Sequence, residues 1–368
     1  MQVDNTFHNQ KISIFDKETV THGITAVRFI FYRRILQLKN RKEKLKMKTA
    51  MKKAISLMLA AAIMLCCALA FASCGAKKTY TVGICQLVRH EALDAATQGF
   101  KDALVKALGE ESVTFLEQNA ANDTTACSTI VTGFVSKNVD LIMANATPAL
   151  QAAYNATNTI PILGTSITEY GVALGIKDFS GTVGGNVSGT SDLAPLTEQA
   201  DMILELFPEA KKVGLLYCSA EANSEYQVKV VEEYLTSKGV TCTRYSFSDS
   251  TDISAVATTA AMQSEVIYIP TDNTAASCAE TIGNIVRERK VPVVAGEQGI
   301  CNACGVATLS ISYYDLGYKT GEMAAKILTG EADISSMAIE YAPATKMYNP
   351  DICAELGITV PDGYTSVK

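Results

Sequence analysis

The chain of 368 residues is 48% hydrophobic and 19% charged, which excludes a disordered protein and gives enough length for two folded domains. Its charge is uneven, because residues 1–73 hold 13 basic and four acidic side chains, whereas residues 74–368 hold 19 basic and 34 acidic ones. The later part therefore carries a net charge of about −15, which argues against binding to the phosphate backbone of a nucleic acid.

A segment in front of the acidic part has the features of an export signal. Lys52-Lys53 precedes an apolar run over residues 54–72, and small residues then lead to Cys74, an order typical of secretory signals. Residues 71–74 resemble a bacterial lipobox, with Phe71 at the position where Leu is usual. We predict a lipoprotein signal peptide at 47–73, lipid attachment at Cys74 and an extracytoplasmic protein anchored to the membrane. The alternative is a transmembrane anchor, since the 19 residues of the apolar run can span a bilayer.

Residues 1–46 precede this signal and place it in mid-chain. We interpret them as a non-native extension, with translation starting at Met47 or Met51, and exclude them from the fold prediction. Their ten basic side chains would indicate a nucleic-acid-binding arm only if they belonged to the mature protein.

The remaining chain contains the same order of predicted elements twice. Four short apolar runs alternate with helical patterns, such as Leu93, Thr97 and Phe100 at spacings of three and four. The runs of the second copy follow those of the first by about 130 residues. They begin at residues 80, 113, 140 and 160 in the first copy and at 212, 240, 265 and 291 in the second.

This alternation predicts an α/β fold with parallel strands and right-handed crossovers. Each copy forms a doubly wound parallel-sheet lobe, and a multi-strand hinge joins the two lobes around a ligand cleft. The assigned ranges are 79–188 plus 308–335 for lobe 1 and 190–306 plus 337–368 for lobe 2. Residues 181–191 are expected to form the first crossing, and a helix ending at Gly330 to return to lobe 1. Hinge rotation is expected near Thr190, Leu309 and Ile339.

Polar residues follow the strand ends of both copies, where ligands of doubly wound sheets bind. We predict that these residues form the ligand-binding set. In lobe 1 they are Gln86, His90, Thr147, Thr165 and Ser166. In lobe 2 they are Tyr217, Ser219, Asn223, Ser224, Thr271, Asp272, Asn273 and Glu297.

Two of these positions suggest what the ligand carries. Thr147-Pro148 has the form of a helix start with Thr as N-cap, where free N–H groups suit a ligand carboxylate. Asp272 is suited to a ligand ammonium group. An α-amino acid satisfies both positions, but each also fits a plain helix cap without a ligand.

Signals for catalysis and for cofactors are weak. His90 is the one His after residue 74, and no recognisable nucleophile motif accompanies it, so we expect no enzyme activity. Cys301 and Cys304 form the one CxxC but lack a second ligand pair for zinc, so no metal or cofactor is expected. Their spacing fits a local disulfide and equally fits unlinked loop cysteines.

Several segments together resemble the ABC transporter substrate-binding proteins of the TrpX type, over roughly residues 79–362. They are VGICQ (82–86) with HEALDAA (90–96), ATPA (146–149), GNVSGTSDL (185–193), PTDNT (270–274) and YYDLGYKTGEMA (313–324). The resemblance implies a type I periplasmic-binding-protein clamp, in agreement with the duplication.

The resemblance also implies the extracytoplasmic solute-binding component of an ABC importer, with permease and ATPase subunits as partners. Its ligand is expected to be a small amphiphilic solute, foremost an aromatic amino acid. A branched-chain amino acid or a sugar is the alternative ligand, although the absence of Trp disfavours sugars. A clamp that senses its ligand for a membrane receptor is the alternative function, since a fold does not determine a function.

Overall fold

The computed structural model describes residues 33–36, 39–48, 51–60 and 78–367. The chain divides into two units, Met1–Lys77 and Lys78–Lys368. In the first unit the described residues are helical and exposed. Most of the predicted signal peptide's apolar run, and Cys74 itself, lie outside the described residues. No helix of the described ranges combines the length and the apolar composition that a bilayer crossing needs.

Residues 78–367 form alternating strands and helices. The strands are β1 Tyr80–Gln86, β2 Val113–Asn119, β3 Leu141–Asn145, β4 Ile162–Ile167, β5 Val187–Ser191, β6 Lys212–Cys218, β7 Thr241–Phe247, β8 Val266–Ile269, β9 Val293–Ala295, β10 Ala307–Ser310, β11 Glu340–Tyr341, β12 Thr345–Tyr348 and β13 Thr365–Ser366. The helices are α1 Glu91–Leu108, α2 Thr124–Ser136, α3 Thr147–Ala156, α4 Tyr170–Leu174, α5 Leu196–Leu206, α6 Ala222–Ser237, α7 Ile253–Gln263, α8 Asn273–Ser277, α9 Ala279–Glu288, α10 Gln298–Ala303, α11 Tyr313–Thr329 and α12 Pro350–Leu356.

The strands build two sheets with the same internal order. The first sheet runs β11-β5-β4-β3-β1-β2, and the second runs β13-β12-β10-β9-β8-β6-β7. In each sheet the first strand of the repeat lies between the second and the third, and the repeat strands pair in parallel. This confirms the two doubly wound parallel-sheet lobes that the duplicated sequence predicts.

The first crossing differs from its prediction. Residues 187–191 do not cross between the lobes but form β5, parallel to β4. Their short polar side chains are buried with partners: Ser188 donates to the Met337 carbonyl at 3.0 Å, and the Thr190 and Thr320 hydroxyls lie 2.9 Å apart. A strand without a long apolar run therefore fits inside the sheet, and the chain leaves lobe 1 after Ser191.

The later crossings are also displaced along the chain from the predicted boundaries. Strand β10 pairs with β9 and β12, so residues 307–310 belong to the second sheet. Strand β11 pairs with β5 in the first sheet. Three connections therefore join the lobes, and they follow Ser191, Ser310 and Tyr341.

Helix α11 returns to lobe 1 and packs directly on α1. It ends at Gly330 in the left-handed conformation, at φ 78°, as predicted. The two helices approach each other closely. A Cβ atom on Gly317 would lie 1.9 Å from the Ala96 carbonyl oxygen, and a Cβ atom on Gly99 would lie 2.1 Å from the Tyr314 carbonyl oxygen. Only glycine permits this backbone contact, so α11 is held tightly to lobe 1.

Candidate functional site

The carboxyl ends of the two sheets face one another, and three side-chain contacts join the lobes there. Asn122 donates to the Thr274 hydroxyl at 3.0 Å, and the Asn302 amide donates to the Glu91 carboxylate at 2.8 Å. The third contact places His90 Nε2 3.4 Å from Asn273 Oδ1. The lobes are therefore in contact at the rim of the cleft, in a closed arrangement.

A buried polar network fixes the first lobe's strand ends to α1. The Gln86 amide donates to the Val88 carbonyl and to Asp94, while its oxygen accepts from Thr97 at 2.6 Å. Asn145 donates to the same Thr97 hydroxyl at 3.0 Å. Gln86 is thus engaged with protein groups, and its role here is to position the loop that carries His90.

The start of α3 differs from its predicted form. Thr147 is the first residue of the helix, and the N-cap is Ala146, a buried residue with φ +87°. This left-handed backbone is unusual for a residue with a Cβ atom, and such strain concentrates at functional sites. It turns the chain into the helix one residue earlier than the Thr-Pro pattern predicts, so Thr147 lies inside the helix.

Thr165 and Ser166 lie beside this helix start. The register pairs Asn145 with Thr165, so Ser166 and the beginning of α3 leave neighbouring strands at the same edge. The Thr165 hydroxyl lies 3.3 Å from that of Thr190. The Ser166 hydroxyl is buried and has no hydrogen-bond partner among the described residues, and its backbone is left-handed at φ 55°.

Glu221 organises the facing edge of the second lobe. Its carboxylate accepts from the backbone N–H groups of Asn273 and Thr274 at 3.0 and 2.8 Å, and from both of their side chains at 2.7 and 2.8 Å. Asn223 donates to it at 3.1 Å and to the Thr271 carbonyl at 3.1 Å. A buried carboxylate with this many donors is well compensated for lost hydration, so Glu221 locks the α6 and α8 starts together.

Asp272 caps a helix, which is one of the two roles that the sequence allows for it. One carboxylate oxygen accepts from the Ala275 N–H at 2.7 Å, as the N-cap of α8, and the other accepts from the Cys218 N–H at 2.6 Å. The Ser224 side chain also lies close to this carboxylate. Burial first, and then the charge of Glu221, raise the pKa of Asp272 to about 7.

Two further buried carboxyl groups lie at the cleft, one on the second lobe and one at the first crossing. Glu297 caps α10 with both oxygens, through the N–H groups of Gly299 and Ile300, and burial raises its pKa to about 7. Asp192 follows β5 at the first crossing, and burial raises its pKa to about 6. The Tyr313 hydroxyl donates to one Asp192 oxygen at 2.9 Å, the Thr168 side chain lies close to the carboxyl group, and the other oxygen makes no hydrogen bond among the described residues.

Two members of the predicted set lie apart from this cluster. The Tyr217 ring belongs to the core under α5 and α6, and its hydroxyl contacts Glu225 and Arg244. Ser219 is exposed and donates to the Phe247 carbonyl at 3.2 Å. Neither contacts the residues that join the lobes in the hydrogen bonds above.

The thiols of the CxxC pair are buried and unlinked. Cys301 lies on α10 and Cys304 ends it, and burial raises the pKa of the Cys304 thiol to about 12. Among the described residues no group of three or more His, Cys, Asp or Glu side chains is arranged to hold a metal ion.

Residues of both lobes also line a cavity of about 320 Å³ at the cleft rim. Its walls include His90 and Glu91 from the start of α1 and Glu297 and residues 276–281 from the second lobe. This volume is at the lower end of the range of small-molecule sites. Of the buried carboxyl groups described above, Glu297 lines this cavity.

These buried carboxyl groups predict how stability depends on pH. Asp192, Asp272 and Glu297 have pKa values of about 6, 7 and 7 in the fold, above their ordinary values, so between about pH 4 and 7 these three groups bind more protons in the folded chain than in the unfolded chain. His90, whose pKa is lowered by burial, acts in the opposite direction but is a single group against three. Stability must then fall as pH rises through this window. We expect the free energy of unfolding of the ligand-free protein to be about 2 kcal/mol lower at pH 8 than at pH 5.5.

Urea titrations at the two pH values test this. Glu297→Gln should reduce the difference, whereas Glu265→Gln should not. The Glu265 carboxylate accepts from two backbone N–H groups, which lower its pKa, so that group is ionised at both pH values. A stability that rises from pH 5.5 to pH 8 would contradict the prediction.

Sequence reasoning missed three residues of this site. Asp192 and Tyr313 stand within segments that carry the family resemblance, yet neither was in the predicted set. Glu221 lies in the strand-end loop that precedes α6 but was not selected from it. Its role depends on partners about 50 residues later in the chain, which a local pattern does not reveal.

Comparisons with known proteins place the chain among solute-binding proteins. A family model described as ABC transporter substrate binding protein matches residues 81–366. A tyrosine-binding protein of Clostridioides difficile (strain R20291) is 36% identical over 262 residues, covering 70% of this chain and 74% of that protein.

Two solved structures are similar along most of the chain. An ABC domain from Streptococcus pneumonia in complex with L-Trp has a TM-score of 0.74 at 29% identity, covering 78% of this chain and 100% of that one. The ligand-free, open structure of a substrate-binding protein with adhesive properties from Clostridium difficile has a TM-score of 0.61 at 37% identity, covering 79% and 99%.

Proposed function

The chain belongs to the family of ABC transporter substrate-binding proteins, and from this premise we propose that it captures an aromatic amino acid between its lobes. We further propose that it delivers this ligand to the permease and ATPase subunits of an ABC importer. The observation that carries the proposal is a set of buried polar atoms from both sides of the cleft that have no partners among the described residues. They include His90 Nδ1, Ser166 Oγ, Asp192 Oδ1 and Asn223 Oδ1.

Asp192 is the proposed partner of the ligand's ammonium group. The carboxylates of Glu221, Asp272 and Glu297 are engaged with backbone and side-chain donors on both oxygens. Asp192 keeps one buried oxygen free while Tyr313 holds the other. An ammonium group would complete its hydrogen bonding and stabilise its charge.

The start of α3 is the proposed partner of the ligand's carboxylate. The first turn of this ten-residue helix presents free N–H groups and the positive end of the helix dipole. The unpartnered Ser166 hydroxyl emerges from the neighbouring strand and can donate to the same carboxylate. Recognition of a zwitterion then uses a hydroxyl and backbone groups at one end and Asp192 at the other.

The aromatic character of the ligand is supported by the relatives. The tyrosine-binding protein and the L-Trp complex are both more than a quarter identical to this chain. Tyrosine and tryptophan share the amino-acid core, and each has an aromatic side chain that carries one hydrogen-bond donor. This is the ligand class that we carry into the experiments.

A thermal-shift and calorimetric screen tests the ligand class. Tyrosine and tryptophan should stabilise the full chain by about 2.7 kcal/mol when present at a hundred times their dissociation constants. Leucine, glucose and inosine at equal concentration should give much smaller shifts. Stabilisation by glucose or inosine, without any by aromatic amino acids, would overturn the proposal.

We also propose that Cys74 carries a lipid that anchors the protein to the outer face of the cell membrane. The lysines, the apolar run and the small residues before Cys74 support this. Mass spectrometry of the membrane fraction should find a lipid-modified Cys74 and no peptide from residues 1–73. Recovery of residues 1–46 in the mature protein would contradict the signal and the start site together.

A further inference from the structure

The hydrogen bonds of the second lobe determine which nitrogen of His90 carries the proton. Asn273 donates its side-chain amide to the Glu221 carboxylate at 2.7 Å. Because an ionised carboxylate only accepts hydrogen bonds, the amide nitrogen must face Glu221, and Asn273 Oδ1 must face His90. His90 Nε2 lies 3.4 Å from this oxygen, so Nε2 is the protonated nitrogen and donates across the cleft.

The other ring nitrogen is then an acceptor without a donor. His90 Nδ1 is buried and has no partner among the described residues. Burial lowers the pKa of His90, against the opposing effects of the Asn273 contact and of the charges of Glu221, Asp94 and Glu91. The ring is therefore neutral near pH 7, and Nδ1 is a buried acceptor whose lone pair has no donor among the described residues.

Such an acceptor makes ligand selection depend on a donor. In an open cleft, water can hydrate Nδ1, but when the lobes close around a ligand that water is lost. A ligand that donates to Nδ1 restores the hydrogen bond, whereas one of the same shape without a donor leaves a buried acceptor unpaired. The second case costs binding free energy and discriminates strongly between otherwise similar ligands.

We propose that His90 Nδ1 accepts a hydrogen bond from the side chain of the ligand, through a phenolic O–H or an indole N–H. The inference rests on the proposed function and extends it, because it makes His90 the residue that selects tyrosine and tryptophan over phenylalanine. His90 lines the rim cavity with the start of α1, while the proposed ammonium and carboxylate partners are Asp192 and the start of α3. The side chain is the part of the ligand that remains for His90.

Two variants separate the ring nitrogens. His90→Gln places its terminal amide near the position of Nε2, so it keeps a donor for Asn273 and removes the acceptor at Nδ1. His90→Asn places its oxygen near the position of Nδ1, so it keeps the acceptor and removes the contact with Asn273. Matched ligands are tyrosine against phenylalanine and tryptophan against 1-methyltryptophan, since each second ligand lacks the donor.

Calorimetric titration of the full chain with these four ligands tests the inference. The wild type should prefer tyrosine over phenylalanine by about tenfold, and tryptophan over its methylated form by a similar factor. His90→Gln should reduce both preferences below about threefold, and His90→Asn should retain them with weaker binding of all four ligands.

The outcomes distinguish this inference from the proposed function. If the wild type binds tyrosine and phenylalanine equally, or if His90→Gln weakens both by the same factor, His90 does not read the side-chain donor and the inference is wrong. If the wild type binds none of the four ligands, the proposed function fails and the inference falls with it.

Discussion

Replacing Asp192 by asparagine is expected to weaken the binding of an aromatic amino acid by about thirtyfold or more without destabilising the ligand-free protein. The substitution keeps the shape and an oxygen for the Tyr313 hydroxyl, but the ligand's buried ammonium group loses its charged partner. Loss of one member of a buried charged pair costs about 2–5 kcal/mol of binding free energy. In the ligand-free protein the raised pKa of Asp192 shows that its charge is disfavoured, so asparagine should leave stability unchanged or slightly higher.

Calorimetry with tyrosine and urea denaturation without ligand measure the two effects. Tyr313→Phe is a graded variant, because it removes one donor to Asp192 and leaves the charge in place; it should weaken binding by less than Asp192→Asn. The exposed Asp123 provides the control, and Asp123→Asn should leave affinity unchanged. Tyrosine binding that survives Asp192→Asn undiminished would exclude Asp192 as the ammonium partner.

Replacing Asp272 by alanine is expected to lower the free energy of unfolding by about 4 kcal/mol. The change leaves the N–H groups of Cys218 and Ala275 buried without acceptors, and each unsatisfied group costs about 1–3 kcal/mol. Both lie at the carboxyl edge of the second sheet, so local structure should be lost there first.

Asp123→Ala is the matched control, because Asp123 caps α2 through two N–H groups but is exposed. Water replaces an exposed cap, so this variant should lose only about 1 kcal/mol. Urea denaturation of both variants gives the comparison. Equal losses at the two positions would mean that burial adds nothing to the Asp272 cap, and an intact stability with lost tyrosine binding would restore Asp272 as a ligand residue.

The strands that the sequence predicts correctly are those that consist of apolar runs. Strands such as Leu141–Asn145 and Val266–Ile269 are buried along their whole length, so their composition reveals them and their repetition reveals the duplicated lobes. Strand β5 has no such run. Its Ser188 and Thr190 side chains are nevertheless buried, because they form hydrogen bonds with residues 320–338, which are distant along the chain. A pattern read along the chain does not contain that information.

The site was predictable as a set of strand ends but not in the roles of its members. The sequence placed Asp272 correctly after β8 and left capping and ligand binding as alternatives, which differ only in where its two oxygens point. Asp192 was not selected, since what distinguishes it is one oxygen without a partner. Such a distinction depends on the three-dimensional arrangement of donors, and it becomes visible only when the lobes are assembled.

The return of α11 to the first lobe has a consequence for the order in which the chain can fold. Lobe 1 needs α11 against α1 and β11 against β5, so its core stays incomplete until residue 341 has been made. Lobe 2 needs β12 and β13 beside β10, and is completed only at residue 366. Neither lobe is a continuous stretch that can fold as soon as it is synthesised, although domains usually fold in turn from the N-terminus. A growing chain of this design therefore cannot complete the core of either lobe until nearly its whole length has been made.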